Sequence, residues 1–502
     1  MELSALLSRI PTPDYTLSGP AQQHVQRIVY DSRQVQSDDL YVAVPGTQVD
    51  GHDFIPQAIA QGARTVVCQI LPEHWADFVG VTWLQTPNSP RLLADLSAAF
   101  AGYPAVHMQM VGVTGTNGKT TIAWLVSSLL NALKSPTGWI GTLGAAFQET
   151  RYPGAYTTPF PPELQQLLKT LHEDGAQNVV MECSSHALVQ ERLGSIPLTC
   201  AIFSNLTQDH LDYHGTFENY GEAKGLLFSE RLVPEGYAIL NADDPWSKRY
   251  AEIARGQVLT YACDHEADFL AQDIVESPDG TQFTLHTAQG DYPIFSPLNG
   301  RFNVYNLLAA MATVHQLGFA LEQILPRIAQ LTAVPGRLER VTPDGHPFGV
   351  YVDYAHTPDS LENVLKTLRP FTREKLRVVV GCGGNRDRGK RPLMAAIAEQ
   401  LADQAIFTAD NPRKEDPEVI LQDMFAGVKH PEAVIKITDR AEAIAFAIAQ
   451  AGPGDQVLIA GKGHEDYQII GEQRLPFDDR QVAREALQLT ETKGKHHARP
   501  LA

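Results

Sequence analysis

Over most of its length the chain alternates between short runs of consecutive apolar residues and longer stretches in which apolar residues return every third or fourth position. A run of four to eight apolar residues bounded by turn formers reads as a strand buried on both faces, and the longer period reads as an amphipathic helix packed against it. HMQMVGV, NVVMECSSH, CAIFSNLTQDH and GYAILNADD form one such series, each run ending in a polar cluster. GVYVDYAH, LRVVVGCGGNRDRGK, QAIFTADNPR and DQVLIAGKGHED form a second, separated by the helical patterns RPLMAAIAEQLA and RAEAIAFAIAQA. The repetition predicts two parallel α/β sheets. Loops that follow parallel strands line one crevice, so each series predicts one site. The second site gathers Asp353, His356, Arg386, Asn411, Arg413 and Glu465.

Residues 267–296 carry the turn signals PDG and QGD between alternating segments, expected to close the domain of the first sheet, and a helical pattern runs on from Asn303. Ahead of residue 105, the strand candidates YVAVPG, RTVVCQ and VTWLQ with one helical pattern, HDFIPQAIAQ, predict a smaller α/β domain. The expected division is therefore 1–105, 106–333 and 334–495, with 496–502 as a basic, frayed tail in which His496 and His497 alone make no metal site.

A length of 502 residues accommodates three domains. Asp and Glu outnumber Lys and Arg by 58 to 40, a net charge of -18 that disfavours nonspecific attraction to nucleic acid or anionic lipid. Any anionic ligand must then be held locally. The start MELSALLSRI has no basic lead, and eighteen consecutive apolar residues occur nowhere, which predicts a cytoplasmic protein without membrane insertion. The five cysteines, Cys68, Cys183, Cys200, Cys263 and Cys382, show no C-x-x-C spacing and are odd in number, so they predict reduced, mostly buried thiols.

The stretch VGVTGTNGKTT supplies the first chemistry. A glycine-rich loop between strand and helix lets backbone N–H groups wrap a polyphosphate at the positive end of the helix dipole. Gly115, Thr116, Asn117 and Gly118 form that loop, Lys119 reaches the terminal phosphates, and Thr120 or Thr121 holds magnesium. Gly112 lies six residues before Gly118, where the usual phosphate-loop spacing wants five. No guanine-reading N-K-x-D follows, which favours an ATP enzyme over a GTPase switch.

Together GTNGKTT, MECSSH, NLTQDHLDYHG, the AKGLLF stretch, LNGRFNVYN, PGRLE, DYAHTPD and GCGGNRDRGKRP resemble the Mur ligase family in order and spacing over nearly the whole chain. The resemblance implies three domains: one for the UDP part of a substrate, a central P-loop-type ATPase, and a C-terminal Rossmann-like domain that brings an amino acid. For the members that carry DSR, DNPR and GKGHEDYQ it implies that ATP phosphorylates the D-glutamate γ-carboxylate of UDP-N-acetylmuramoyl-L-alanyl-D-glutamate and that an amine displaces the phosphate, in peptidoglycan precursor synthesis. A monomer is expected.

The resemblance also carries residue roles. Glu182 and His210 match magnesium positions, and Lys224, by composition alone a solvated side chain, matches a lysine that is carbamylated to present oxygens to the metal. Thr157, Thr158, Ser184, Gln190 and Arg192 match positions that hold the muramoyl dipeptide, and Ser32 in DSR matches a UDP-contacting position. For Arg192 the competing reading is a surface ion pair, and for Ser32 an ordinary turn serine. Asn303, Arg337, Asp353 and His356 match nucleotide contacts, with Pro335 and Gly336 as a hinge whose closure would expel water.

Within the family, DSR, DNPR and GKGHEDYQ resemble members that add meso-2,6-diaminopimelate. That molecule differs from lysine by a second carboxylate, which Arg413 suits as a bidentate cation. Arg386, Asp410, Asn411, Pro412, Gly461 and Glu465 complete the pocket, Glu465 suiting an ammonium group. Asn385 stands where many relatives have aspartate. Competing readings are a lysine-adding relative, a folylpolyglutamate synthetase-like ligase, and a nucleotide-regulated binding protein, the last leaving Glu182, His210 and Lys224 unexplained.

Overall fold

The computed structural model describes residues 1–497 apart from 13, 47–48, 155, 278–279 and 344, with the backbone alone described from 490 to 497. It divides into two compact units, one formed by residues 1–268 with 309–324 and the other by 269–308 with 325–502. The strands of residues 269–296, expected to close the domain of the first sheet, stand at one end of that sheet's strand order.

The first unit holds two sheets. A five-stranded sheet orders Thr16–Ser18, Thr82–Gln85, Thr65–Cys68, Leu40–Val42 and Ile28–Val29, parallel except for the first pair. The three strand candidates read from this region are all present, and the single helix expected there is Ile55–Gln61. That count was too low. A helix over Ser89–Ala101, begun by Pro90 and capped by the Asn88 side chain on the Arg91 N–H, buries Leu92, Leu93 and Leu96, and a short helix over Leu3–Leu7 precedes it.

The second sheet positions the chemistry. Its first strand, β1 (Gln109–Thr114), leads through helix α1 (Lys119–Ala132) to the strand Thr137–Gly141. β2 (Asn178–Glu182) lies parallel to β1 on one side and β3 (Leu198–Phe203) parallel to it on the other. The chain therefore leaves β1 in both directions, which creates a crevice beyond the carboxyl ends of these strands. Leu232–Asn241 and Gln257–Ala262 extend the sheet in parallel past β3, and Gly144–Phe147 and Thr150–Tyr152 close the opposite edge antiparallel. Val179, Val180, Met181, Ala201, Ile202 and Phe203 are fully buried, as runs apolar on both faces require.

The second unit contains an antiparallel meander, Phe269–Ser277, Gly280–Thr287 and Gly290–Ser296, and a six-stranded sheet. Pro278 and Asp279 of the PDG signal lie outside the described residues. The sheet orders Glu339–Arg340, β4 (Gly349–Asp353), β7 (Gln456–Ala460), β5 (Leu376–Val380), β6 (Gln404–Phe407) and Ile435–Lys436, all parallel but the first pair. A hairpin, Tyr467–Ile470 with Gln473–Pro476, follows β7.

Three expectations about details resolve. Cys68, Cys183, Cys200 and Cys382 are buried, Cys263 is partly buried, and all five are free thiols. The last helix runs from Asp479 to His497, so the tail expected from residue 496 begins as helix, and residues 498–502 lie outside the described residues. No described helix is long and apolar enough to cross a membrane.

Candidate active site

The phosphate loop leaves β1 at Thr114 and enters α1 at Lys119. Gly112 is not part of it: that glycine sits inside β1, which accounts for the spacing mismatch in the sequence pattern. Gly115 has φ +143°, and a Cβ there would lie 1.9 Å from the Ser204 hydroxyl, so only glycine fits where the loop passes the end of β3. Asn205, next along, fixes the loop's shape. Its carbonyl accepts the Thr116 N–H at 2.8 Å and its side-chain oxygen the Asn117 N–H at 3.0 Å. Gly118 takes a left-handed conformation as the cap of α1, with Lys119, Thr120 and Thr121 in the first turn where the helix dipole is positive.

Two amines converge on one carbonyl. Lys119 Nζ donates to Gly115 O at 3.0 Å and to Thr116 O at 2.9 Å, and Lys224 Nζ donates to the same Gly115 O at 2.8 Å. Lys224 comes from helix α3 (Phe217–Leu226), whose Thr216 side chain caps the Asn219 N–H, and only 1% of the residue is exposed. The solvated reading of this lysine is therefore wrong. Burial, reinforced by the nearby Lys119 charge, holds its pKa well below the usual lysine value, and its Nζ lies 4.3 Å from the centre of the Tyr220 ring.

Glu182 closes β2 and is buried, its Oε1 accepting the Thr142 N–H at 2.9 Å and its Oε2 the Thr142 hydroxyl at 3.2 Å. His210 lies in the loop after β3, with its ring edge-on to His186 at 4.9 Å, and His186 sits in the short helix α2 (Ser185–Val189) just after β2. Burial lowers both imidazoles, His186 to about 4 with His210, His214 and Arg192 adding to the effect. They are neutral near pH 7. Among the described residues no three His, Cys, Asp or Glu side chains are grouped to hold a metal ion. The set fits magnesium in another way. That ion keeps waters and needs one or two carboxylates beside substrate phosphates, and Glu182 is one oriented carboxylate with lone pairs beyond its two bonds to Thr142.

The residues expected to hold the dipeptide also come together. Thr158 donates its hydroxyl to Glu182 O at 2.8 Å and accepts the Ser184 N–H at 3.1 Å, while Ser184 caps α2 through the Ala187 N–H. Thr157 shares a hydroxyl contact with Thr142 at 3.1 Å. Arg192 is 8% exposed, against the surface ion pair considered for it. Its guanidinium donates to Thr158 O at 2.8 Å and by Nε and Nη2 to Gln190 Oε1, and it lies 3.8 Å from the Phe160 ring. Tyr30 stacks on Phe160 at 4.7 Å, and two residues later Ser32 is buried in the turn that Asp31 caps through the Arg33 N–H. Sequence reasoning passed over Tyr30 and Phe160, although Tyr30 directly precedes DSR and Phe160 lies two residues after Thr158.

In the second unit Asp353 ends β4, and its carboxylate accepts the Leu338 N–H at 2.6 Å. Burial pushes this carboxyl up to about 6 against the pull of Arg337. Arg337 lies 4.6 Å from the Tyr354 ring, and His356 donates its Nδ1–H to Tyr354 O at 2.8 Å. Asn303 donates to Asn299 O at 2.8 Å and accepts from Asn306 at 3.1 Å. Gly336, with φ +68°, approaches the loop after β7 so closely that a Cβ would lie 2.1 Å from His464 N. The Pro335–Gly336 turn, read as a hinge, thus packs its Gly336 backbone directly on the Gly463–His464 backbone.

The loops after β6 and β7 bring a set of charged side chains together. Arg413 takes φ +54° and donates its Nη1–H to Gly384 O at 2.9 Å, and its guanidinium, lowered in pKa mainly by burial, feels Arg386, Asp410 and Glu465. Pro412 is buried against Gly384, and Gly461 brings its backbone close to Asp410 Oδ2. Asn411 donates to Glu465 Oε2 at 2.8 Å. Lys462, which sequence reasoning missed, is fully buried and donates to the same Oε2 at 3.0 Å. The only signal for it was its place in GKGHEDYQ, directly after Gly461 and three residues before Glu465, the two members that were noticed. Asn385, the departure from the family pattern, has φ +51° and accepts the Lys414 N–H at 3.1 Å, a conformation asparagine tolerates well.

Comparison with known proteins places this geometry. The Mur ligase family catalytic domain matches residues 24–101, the Mur ligase middle domain residues 113–314, and the Mur ligase glutamate ligase domain residues 336–463. The UDP-N-acetylmuramoyl-L-alanyl-D-glutamate--2,6-diaminopimelate ligase of Geobacillus thermodenitrificans (strain NG80-2) is 46% identical over 494 residues, 97% of this chain and 99% of that one. The protein of the same name from Synechococcus elongatus is 46% identical with the same coverage. A solved structure of a UDP-N-acetylmuramoyl-L-alanyl-D-glutamate--2,6-diaminopimelate ligase superposes with a TM-score of 0.67 at 36% identity, covering 93% of this chain and 95% of that one. The Mycobacterium tuberculosis folylpolyglutamate synthase, at 19% identity and a TM-score of 0.62 over 75% of this chain and 92% of its own, shares the fold alone.

Proposed function

The chain belongs to the Mur ligase family, with its three-domain α/β fold, and from that we propose that it joins meso-2,6-diaminopimelate to the D-glutamate γ-carboxylate of UDP-N-acetylmuramoyl-L-alanyl-D-glutamate. In this reading residues 1–105 receive the UDP part, 106–333 the ATP, and 334–495 the amino acid. The γ-carboxylate attacks the γ-phosphorus of ATP, the bond to ADP breaks, and an acyl phosphate forms. The amine then attacks the acyl carbon, inorganic phosphate leaves with the C–O bond, and the amine's proton is released. Phosphoryl transfer between anions is chiefly a matter of positioning and charge.

Each group has a part that its chemistry suits. Lys119 and the N-terminus of α1, with the Gly115–Gly118 backbone, draw the polyphosphate into place. Asn303, Arg337, Asp353 and His356 contribute nucleotide contacts. Ser32 meets the UDP part, and Thr157, Thr158, Ser184, Gln190 and Arg192 orient the dipeptide. A neutral Lys224 amine, favoured by burial, is the form that reacts with carbon dioxide, and the carbamate supplies an anion beside the phosphate loop. Magnesium, held by Thr120, Glu182, His210 and that carbamate, would neutralise charge at the transferred phosphoryl group.

The choice of amino acid is carried by the guanidinium of Arg413, which is grouped with Arg386, Asp410 and Glu465. Two arginines suit a carboxylate and the acids suit an ammonium, so together they match an amino-acid head that lysine has only once. The test is tripeptide formation, read by mass, with ATP, magnesium, UDP-N-acetylmuramoyl-L-alanyl-D-glutamate and either meso-diaminopimelate or L-lysine. Product with diaminopimelate alone is expected, and equal product with lysine would discard the Arg413 argument.

A further inference from the structure

The loop after β7 carries a charge that the ligation scheme does not use. Lys462 is fully buried, yet its ammonium is surrounded by built partners: Glu465 Oε2 at 3.0 Å, Asn411 Oδ1 at 3.1 Å and the Tyr467 ring at 5.3 Å. Asn411 is bound on both sides. Its Oδ1 accepts from Lys462 and from the Ile469 N–H at 2.9 Å, and its Nδ2 donates to Glu465 Oε2 at 2.8 Å. An amide oxygen has two lone pairs and an amide nitrogen two hydrogens. Both lone pairs and one hydrogen are thus committed inside the protein, which fixes the amide's orientation. Glu465 Oε2 takes two donors, and Oε1 lies outside that pair of bonds.

We propose that Lys462 is a positioning residue for the amino-acid substrate: by locking the Glu465 carboxylate and the Asn411 amide in one arrangement, it presents Glu465 to the ammonium of the substrate's second, non-reacting amino-acid head. The inference rests on the ligase reading above. The head in question must be the non-reacting one, because the amine that attacks an acyl phosphate has to be neutral, whereas a carboxylate frame of this kind holds an amine in its charged form. Arg386 and Arg413 take the carboxylate of the same head. Lys462 itself touches no substrate atom in this scheme, since its ammonium is enclosed.

The test compares steady-state kinetics of the full-length wild type, Lys462→Met, Glu465→Gln and the double variant, using meso-diaminopimelate and 2-aminopimelate, which lacks the second amine. Lys462→Met should raise the KM for diaminopimelate at least about tenfold, with kcat and the KM for ATP within about threefold. The KM for 2-aminopimelate should barely move, so the preference between the two acids collapses. Adding Lys462→Met to Glu465→Gln should produce no further loss. The double variant removes both charges of the pair and keeps the comparison readable where the single lysine change does not fold. Equal rises for both acids, or losses that add in the double variant, would overturn the positioning role. Wild-type protein that makes no tripeptide with any amino acid would overturn the ligase reading and the inference with it, while product from L-lysine alone would keep the ligase and remove the second head.

Discussion

Lys224 and Lys462 are both sealed from water, at 1% and 0% exposure, and both stand beside a glycine-rich loop. What surrounds them differs. Lys224 donates to a backbone carbonyl and faces an aromatic ring, and among the described residues no carboxylate forms an ion pair with it. Lys462 has the Glu465 carboxylate and the Asn411 amide oxygen within 3.1 Å. Burial alone disfavours the charged form, and a partner of opposite sign restores it. The first lysine is thereby biased toward the neutral amine, and the second is tied into an ion pair with Glu465.

The largest effect that sharpens this contrast is on catalysis. Lys224→Met should lower kcat by about a thousandfold, the scale of losing one group that stabilises transferring charge. At pH 7 it should destabilise the protein by no more than about 1 kcal/mol, because methionine fills the space and avoids the desolvation penalty, at the loss of one hydrogen bond to Gly115 O. Lys462→Met should cost more stability, about 3–5 kcal/mol, through the stranded Glu465 carboxylate. Denaturation midpoints measured beside turnover check both halves. A strongly destabilised Lys224→Met protein would show that its amine is held by a charge partner after all.

Arg413 comes next in size. Arg413→Ala should lower kcat/KM for diaminopimelate by about 2–5 kcal/mol, tens- to thousands-fold, and Arg413→Lys should recover only part of it, since a point charge cannot make a bidentate contact. Activity with lysine should change far less. Equal losses for both amino acids would mean that the arginine supports the loop through Gly384 and does not read a carboxylate.

A smaller effect lies in the pH dependence of stability. The Lys224 pKa is lowered on folding, so between the folded value and the unfolded one the unfolded chain binds more protons at this position than the folded chain. Stability attributable to it therefore rises with pH until the unfolded value near 10.4 is reached. In buffer stripped of carbon dioxide, wild type should gain on Lys224→Met between pH 7 and 10. A constant difference would remove the neutral-amine argument.

Much of this was readable before any coordinates. Both parallel sheets, the phosphate loop and the DNPR and GKGHED loops followed from strand-length apolar runs ending in polar clusters, a pattern set by local spacing. What escaped was set by tertiary contact. Nothing in GEAKGLLF says that Lys224 turns inward, because a helix presents lysine equally well to water. Lys462 needed Asn411, fifty-one residues away, and Arg192 needed Phe160 beneath its guanidinium. The helix Ser89–Ala101 was missed for another reason: it opens with Ser-Pro, which reads as a turn until the Asn88 cap is seen.

The smallest effect concerns the edge of the charged cluster, where Asn385 departs from the family pattern. Its N–H donates to Glu415, its side-chain oxygen accepts the Lys414 N–H, and its backbone is left-handed at φ +51°. Arg391 holds the Glu415 carboxyl down to about 2, so this carboxylate, like Glu465 beside Lys462, stands against a buried cation. Asn385→Ala should cost about 1–2 kcal/mol, because a Cβ without a polar tip is strained in this conformation, and Asn385→Gly should recover most of that loss. Asn385→Asp keeps the acceptor and the tolerance for left-handed backbone, but sets a second carboxylate beside Glu415 at a solvent-exposed position, where the repulsion is worth under about 1 kcal/mol. Its KM for diaminopimelate should stay within about twofold of wild type at 0.15 M salt, and its stability should improve as salt is added. A loss of affinity as large as that of Arg413→Ala would mean that Asn385 does more than shape the loop that carries Arg386.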